Sequence, residues 1–290
     1  MSLARYFPTA CVAMELLAIS ASTPATAAPV LPDFNAAAFV PGASVNHPYF
    51  PLINGRVRVY EGSGEQNGEP FTERFILTDL VNAGPVILGV RTSVQRDQSF
   101  ENGLLVEDTR DFYAQDTSGN VWYMGEDVTN FVYDDADNLI ETNSEGQWRA
   151  GVNGALPGFI MPANLDIGFN YYQEFAPADE AVDQATTSAR GLSLTVPFGM
   201  FDDVLRVLET TELEPDAREF KFYAPGFGLI AAFEGLDESL ANPELRVELI
   251  AVSQVPEPAA LGLFGLGLLG VAAGRCSSRR LGNRQSRQRA

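Results

Sequence analysis

The central part of the chain, residues 47–253, consists largely of short apolar or alternating runs bounded by turn residues. Such runs are typical of β-strands. Alternation is clearest at residues 219–223 (EFKFY) and 246–249 (RVEL), where we expect polar side chains to face water and apolar side chains to face a core. The predicted strands are 56–61, 71–77, 86–96, 104–113, 121–124, 192–196, 204–211, 219–223, 229–233 and 245–252.

The turns between these runs indicate an antiparallel order. Residues 101–103 (ENG) and 118–120 (SGN) supply the positive φ angles that tight hairpins require. Successive hairpins predict a meander, and the lack of strand-helix alternation argues against a parallel sheet. We therefore predict an all-β domain at residues 46–253. Its antiparallel meander forms a strongly curved sheet or incomplete barrel, with a β-sandwich as the alternative.

Two stretches inside this domain lack a strand pattern and are predicted as long connections. They cover residues 158–174 and 176–190, and the second is expected to hold a short helix near 179–185. About 200 residues suffice for a substantial core without disulfides.

The first 27 residues have the features of a secretory signal peptide. Arg5 precedes an apolar run at residues 10–19, and small residues lead to a predicted cleavage site after Ala27. Glu15 interrupts the apolar run. Residues 28–45 are rich in Ala and Pro and are predicted to form a tether between the signal and the β-domain.

The C-terminal segment, residues 254–280, combines three features in a fixed order. Val255, Pro256, Glu257 and Pro258 precede an apolar span at 259–273, and basic residues follow it. Fifteen residues of helix measure about 22 Å, so this C-terminal apolar helix needs local thinning and snorkelling to cross a bilayer. The positive-inside rule places the arginines in the cytoplasm. The basic stop signal comprises Arg275, Arg279 and Arg280, and a basic tail follows at 281–290.

This order resembles the PEP-CTERM sorting signal of Gram-negative bacteria. The resemblance implies recognition at Val255, Pro256, Glu257 and Pro258 by an exosortase, a membrane transpeptidase that removes the tail. It also implies export by the secretion machinery, a transient inner-membrane anchor, and final residence in the outer envelope or extracellular matrix, with exopolysaccharide as a candidate partner.

Parts of the body are similar to uncharacterised exported bacterial β-rich proteins. These parts are residues 47–52, 111–127, 157–163 and 223–229. The similarity implies an exported β-rich domain and carries no catalytic residue.

Charge and rare residues exclude several classes of function. Residues 28–274 contain 12 basic and 37 acidic residues, so nucleic acid is not an expected partner. Cys11 and Cys276 are the only cysteines and lie in the terminal segments, which leaves the body without a disulfide or a thiolate site. His47 is the only histidine and is interpreted as structural. Metalloprotease, nucleophile-elbow and phosphate-loop motifs are missing, and we predict no cofactor.

Acidic residues are the remaining candidates for chemistry. A glycosidase needs two carboxyl groups across a sugar. A solvated strand face, with cross-strand pairs to Arg91, Arg96 or Arg110, is the favoured interpretation of the candidate carboxylates. The candidates in the hairpin predicted at residues 104–124 and just beyond it are Glu107, Asp108, Asp111, Glu126 and Asp127.

A second acidic cluster, residues 134–138 (DDADN), suggests calcium. It lacks the glycine of a calcium loop, and Glu141 comes too early for the terminal ligand, so we interpret it as a hairpin turn and predict no metal site. Asp116, Ser118 and Asn120 are interpreted in the same way.

Six aromatic residues are candidates either for the core or for a concave face that binds sugars or lipids. We predict no catalytic residue and a non-enzymatic binding or structural β-domain. The alternatives are a carrier of an apolar ligand, which a deep apolar cavity would favour, and a glycan hydrolase, which two facing buried carboxylates would favour. The aromatic candidates are Trp122, Tyr123, Trp148, Tyr171, Tyr172 and Phe175.

Overall fold

A computed structural model describes residues 28–66 and 68–255. The predicted cleavage site at Ala27, the motif residues after Val255 and the predicted apolar helix at 259–273 lie outside the described residues.

The described residues form strands and two short 3-10 helices, Phe34–Ala36 and Pro177–Asp179. The strands are Asn46–His47 (β1), Phe50–Pro51 (β2), Arg56–Gln66 (β3), Glu69–Leu80 (β4), Val86–Ile87 (β5), Val90–Arg91 (β6), Ser93–Glu101 (β7), Leu104–Gln115 (β8), Val121–Tyr133 (β9), Leu139–Asn143 (β10), Trp148–Arg149 (β11), Leu156–Met161 (β12), Asn170–Tyr172 (β13), Glu174–Phe175 (β14), Asp183–Val196 (β15), Gly199–Thr211 (β16), Arg218–Ala224 (β17), Gly228–Glu234 (β18) and Leu245–Gln254 (β19).

One large antiparallel sheet contains most of these strands. Its order is β13-β15-β16-β17-β18-β19-β3-β4-β7-β8-β9-β12-β14, with β10 and β11 also pairing with β9. Neighbours in sequence pair as hairpins, and the last strand returns to the first long one, where Leu249 lies opposite Tyr60. This order confirms the predicted all-β antiparallel meander.

The two ends of the sheet are joined by consecutive residues, which makes it a nearly closed barrel. Strands β13 and β14 are separated only by Gln173; Tyr171 pairs with Ala185 on one side, and Glu174 pairs with Pro157 on the other. Gly158 permits this closure, because a Cβ atom there would lie 2.3 Å from the carbonyl oxygen of Tyr172. The curved-sheet prediction is therefore correct in preference to the sandwich.

The predicted connections at 158–174 and 176–190 are wrong in part. The first contains most of β12, β13 and the start of β14, while the expected helix at 179–185 is replaced by a 3-10 turn at Pro177–Asp179 and the start of β15. Polar and small residues dominate the first half of β15, whose strand conformation is held by backbone pairing with β16. Local patterning does not reveal such pairing.

The described part of the predicted tether lies against the β-domain. Val30 forms a bridge with Tyr171, Phe39 forms one with Asp116, and the Phe34 ring is 5.3 Å from the Trp122 ring.

A buried ion cluster holds one part of the barrel together. Asp79, which is fully buried, accepts hydrogen bonds from Arg56 Nε at 2.9 Å and Arg58 Nη2 at 2.8 Å, and from Gln95 Nε2 at 2.9 Å. The two guanidinium groups also donate to the carbonyl oxygens of Gly226 and Phe227. The cluster therefore ties β3 and β4 to the β17–β18 turn.

Candidate functional site

A cavity of about 360 Å³ lies within the barrel. Carboxyl groups and tyrosine rings dominate its lining, in place of the apolar core that the strand pattern predicts. The side chains that carry the chemistry are Asp97, Glu107, Asp111, Tyr113, Tyr123, Glu126, Glu174, Asp183, Glu209, Lys221 and Tyr223.

Strand register brings these acidic positions together. Asp97 pairs with Thr109, Asp111 pairs with Glu126, and alternate residues of a strand share a face. On β17 the same rule directs Lys221 inward, while Phe222 packs against Phe233 on the other face at 4.6 Å. The expectation that the polar residues of 219–223 face water is wrong for Lys221, because the barrel interior is itself polar.

Tyr123 connects two of the carboxyl groups. Its hydroxyl oxygen lies 2.7 Å from Oδ1 of Asp111 and 3.0 Å from Oε2 of Glu126. A phenol has one proton to donate, so two hydrogen bonds require that one carboxyl group donates in return. This arrangement therefore favours the neutral form of one of Asp111 and Glu126.

Burial favours the neutral form of several acids in the cavity. It raises the pKa of Asp111 to about 7 against the lowering effect of its bond from Tyr123, and it raises the pKa of Glu126 well above its ordinary value. The pKa values of Asp97 and Glu174 also rise well above normal, first because of burial and then because of neighbouring carboxylates. The lining thus holds many carboxyl groups in surroundings that favour their neutral forms.

The two cations in the lining already have partners. Lys221 Nζ lies 2.6 Å from Glu209 Oε2 and 2.9 Å from Glu219 Oε1. Arg58 is bound to Asp79. Within the described part of the chain, none of the salt bridges includes Asp97, Asp111, Glu126 or Glu174.

Two carboxyl oxygens of the lining have spare acceptor capacity. Oδ1 of Asp97 and Oε2 of Glu174 are buried and accept no well-formed hydrogen bond from the described residues. The indole N–H of Trp148 interacts with Glu174 and lowers its pKa, although less than burial raises it. Glu174 is only 6% exposed. A polar group without a full set of partners in such a position is costly unless a ligand or a proton satisfies it.

A second pair of acids, Glu73 and Glu234, lies close to a surface recess of about 600 Å³. Glu234 lines this recess together with Lys221 and Glu209, which line the cavity as well. Glu73 and Glu234 share a hydrogen bond, and burial raises their pKa values to about 7 and about 9.

The five candidate carboxylates divide between the two faces of the hairpin. Glu107, Asp111 and Glu126 line the cavity. The solvated-face hypothesis is wrong for Asp111 and Glu126, because both are enclosed by the curved sheet. The solvated-face hypothesis agrees with the structure for Asp108 and Asp127, which are partly exposed. Asp108 accepts a 2.8 Å hydrogen bond from Arg96, and Asp127 pairs with Arg149.

The turn interpretation of the other acidic clusters is confirmed. Asp134 accepts hydrogen bonds from the backbone of Ala136 and from the backbone and side chain of Asn138. Asp116 likewise accepts from the backbone of Ser118 and Asn120, and it also binds the indole N–H of Trp122. In residues 28–66 and 68–255, no group of three or more metal-ligating side chains is arranged to hold an ion.

The aromatic candidates mostly belong to the core. Trp122, Tyr123, Trp148 and Tyr171 are buried in one apolar cluster, and Tyr123 also lines the cavity. Sequence reasoning missed Tyr113 and Tyr223, whose alternation with Asp111 and Lys221 was the available signal.

His47 is buried, as a structural residue should be. Its Nδ1 accepts a hydrogen bond from the Tyr49 backbone at 3.2 Å, and burial lowers its pKa to about 4. A neutral imidazole is therefore expected at physiological pH.

The C-terminal resemblance is confirmed by a family model. The model, described as the PEP-CTERM protein-sorting motif, matches residues 254–280. This protein is therefore exported with a PEP-CTERM signal, and the motif implies processing by an exosortase. Among the residues that the structure covers, no helix has the length and apolarity needed to span a membrane. No curated protein matches the sequence.

Three solved structures are similar to this chain. A protein described as exported, with a YmcC-like fold, from Bacteroides fragilis is 11% identical with a TM-score of 0.35, and the match covers 71% of this chain and 99% of that one. A protein described as a lipoprotein from Parabacteroides distasonis is 12% identical with a TM-score of 0.33, and the match covers 71% of this chain and 98% of that one. A β-barrel-like protein with a domain of unknown function from Brucella abortus is 9% identical with a TM-score of 0.39, and the match covers 71% of this chain and 99% of that one. Because all three TM-scores are below 0.5, these similarities carry no argument about this chain, and the sorting motif describes residues 254–280 alone.

Proposed function

We propose that this exosortase-processed protein is a non-catalytic binding module of the cell envelope, and that its barrel cavity holds a small ligand. The observation that carries the proposal is the polar cavity of about 360 Å³, a size at the lower end of ligand pockets. Export, which the sorting motif at residues 254–280 implies, would leave this cavity outside the cytoplasm.

The proposed route begins with cleavage after Ala27 and retention in the inner membrane by the span at 259–273. Exosortase then acts at Val255, Pro256, Glu257 and Pro258, with Arg275, Arg279 and Arg280 as the cytoplasmic stop signal. The product is released to the outer envelope or extracellular matrix of a Gram-negative bacterium, where exopolysaccharide is the candidate binding partner.

The lining disfavours the role of carrier for an apolar ligand. An apolar molecule in this cavity would cover the unsatisfied oxygens of Asp97 and Glu174 without giving them a hydrogen bond. Burial of unsatisfied polar groups costs on the order of 1–3 kcal/mol each.

A glycan hydrolase is the second candidate, because the buried Asp111 and the half-buried Glu126 lie side by side on the adjacent strands β8 and β9. Two features weigh against it. The Tyr123 hydroxyl occupies the space between the two carboxyl groups, where a glycosidase holds the sugar. Burial also raises the pKa of both acids, whereas hydrolysis needs one of them ionised.

Native mass spectrometry of the mature protein purified from the envelope tests the binding function. We expect a small molecule bound at one copy per protein, which denaturation releases. The same preparation, incubated with the exopolysaccharide of the producing organism, should release no sugar. Hydrolysis that Asp111→Asn or Glu126→Gln abolishes would establish the enzyme instead, and the absence of any bound molecule in repeated preparations would contradict the binding module.

A further inference from the structure

We propose that the barrel cavity binds a small organic ammonium compound, whose N–H groups donate to Oε2 of Glu174 and Oδ1 of Asp97, two buried oxygens that accept no well-formed hydrogen bond from the described residues. This inference rests on the proposed binding function and specifies the chemical class of the ligand.

The first support is the spare acceptor capacity of Glu174, whose carboxyl group interacts with only one hydrogen-bond donor among the described residues, the indole N–H of Trp148. This side chain is 6% exposed, it lines the cavity from the short strand β14, and its Oε2 accepts no well-formed hydrogen bond from the described residues. Asp97 presents a second such oxygen from β7. An ammonium group carries donors only, so it complements acceptors of this kind without adding an acceptor that would need a partner.

The second support is the charge balance of the lining. Lys221 is held by Glu209 and Glu219, and Arg58 is held by Asp79. Six further carboxyl groups line the cavity without a salt-bridge partner in the described residues, namely those of Asp97, Glu107, Asp111, Glu126, Glu174 and Asp183. One cationic ligand would let several of them ionise and form charge-assisted hydrogen bonds, which are stronger than neutral ones.

The third support is an aromatic wall beside the acids. The rings of Tyr113 and Tyr123 are 5.1 Å apart, and the Phe50 ring lies 5.0 Å from Tyr113 and 6.5 Å from Tyr223. Aromatic faces attract organic cations and also pack against their carbon chains. Acids and aromatic rings together favour an ammonium compound with an alkyl chain over a bare metal ion, which would use only the oxygens.

Isothermal titration calorimetry with the mature protein from the envelope, after removal of any co-purified ligand, tests the inference. The probes are putrescine, spermidine, calcium chloride and the neutral sugar maltotriose. We expect one of the amines to bind at one per protein. Glu174→Gln should weaken that binding at least tenfold, and Asp97→Asn should also weaken it. Glu141→Gln on the exposed strand β10 is the matched control and should leave affinity unchanged.

Each outcome decides between the two proposals. Saturable binding of maltotriose without binding of either amine would keep the binding module and overturn the ammonium inference, and tighter binding of calcium than of either amine would do the same. Amine binding that both Glu174→Gln and Asp97→Asn leave intact would overturn the site. Failure of all four probes, together with no co-purified molecule, would overturn both proposals. Melting curves of the variants show that any loss of binding occurs in folded protein.

Discussion

The hydroxyl oxygen of Tyr123 lies 2.7 Å from Oδ1 of Asp111, between that carboxyl group and the carboxyl group of Glu126. The two acids are cross-strand neighbours, so the strand register fixes their separation. Because the phenol has one proton for two bonds, the site stores a proton that an unfolded chain would release at neutral pH. Protein stability is therefore linked to pH through this group of side chains.

We predict that the protein is more stable at pH 5 than at pH 8. The pKa of Asp111 rises from an ordinary value of 3.8 to about 7 in the folded protein, and burial also raises the pKa values of Glu126 and Glu174 well above their ordinary values. Between pH 4 and 7 the folded state therefore holds protons that the unfolded state has lost, so stability falls as pH rises through this window. The single residue His47 has the opposite effect on stability, because burial lowers its pKa from 6.5 to about 4 and the unfolded state therefore holds the extra proton between these two pH values. Scanning fluorimetry should show a melting temperature roughly 5 °C or more higher at pH 5.

Two variants on the same strand separate the buried acids from general charge effects. Asp111→Asn removes one of the stored protons and should flatten the fall in melting temperature between pH 5 and 7. Asp108→Asn, on the outer face opposite Arg96, should leave that slope as it is in the parent. An equal slope in Asp111→Asn and the parent would show that the cavity acids are not the source.

The Asp79 cluster should be essential for stability. Asp79→Asn leaves Arg56 and Arg58 buried without their counter-charge, and breaking a buried pair in this way typically costs about 3–5 kcal/mol. Urea unfolding should show the loss as a lower midpoint. Asp127→Asn breaks the partly exposed pair with Arg149 and should cost at most about 1 kcal/mol. Similar midpoints for the two variants would contradict the structural role of Asp79.

The meander was predictable from sequence because its long hairpins carry strong local signals. Strand β8 lies between the predicted turns at 101–103 and 118–120, and its predicted range 104–113 lies inside the observed Leu104–Gln115. Closure of the barrel was not predictable, since β13 and β14 are two or three residues long and exist through pairing with distant strands. Such strands have no pattern of their own to detect.

The acidic cavity was missed for a physical reason. Alternation states that residues 219, 221 and 223 share a face, but it does not state whether that face is wet or enclosed. In an ordinary sheet the polar face is solvated. Here the curvature of the sheet encloses it, and Lys221 and Glu209 line a cavity.

Closure of the barrel should depend on Gly158. A methyl group there would meet the carbonyl oxygens of Tyr172 and Gln173 at 2.3 and 2.5 Å, and backbone on both sides leaves little room to adjust. We expect Gly158→Ala to destabilise the protein by about 3 kcal/mol, measured by urea unfolding. Gly199→Ala is the matched control, since a methyl group at that position meets nothing within 4 Å. Unchanged stability of Gly158→Ala would mean that β12 and the β13–β14 segment are not closely apposed in solution.

Processing at both ends is the final prediction, and it links the sequence to the location of the protein. Intact-mass spectrometry of envelope material should give a product that begins at Ala28 and lacks the arginine-containing tail, because the signal peptide and the motif at 254–280 each carry a site for removal. The double variant Pro256→Ala, Pro258→Ala should retain the tail and stay in the inner-membrane fraction. Pro215→Ala, an exposed proline of the β-domain, should be processed like the parent. Detection of Arg275 in the mature parent protein would contradict cleavage at the motif, whereas retention of only the first 27 residues would trace the failure to the signal peptide and its Glu15.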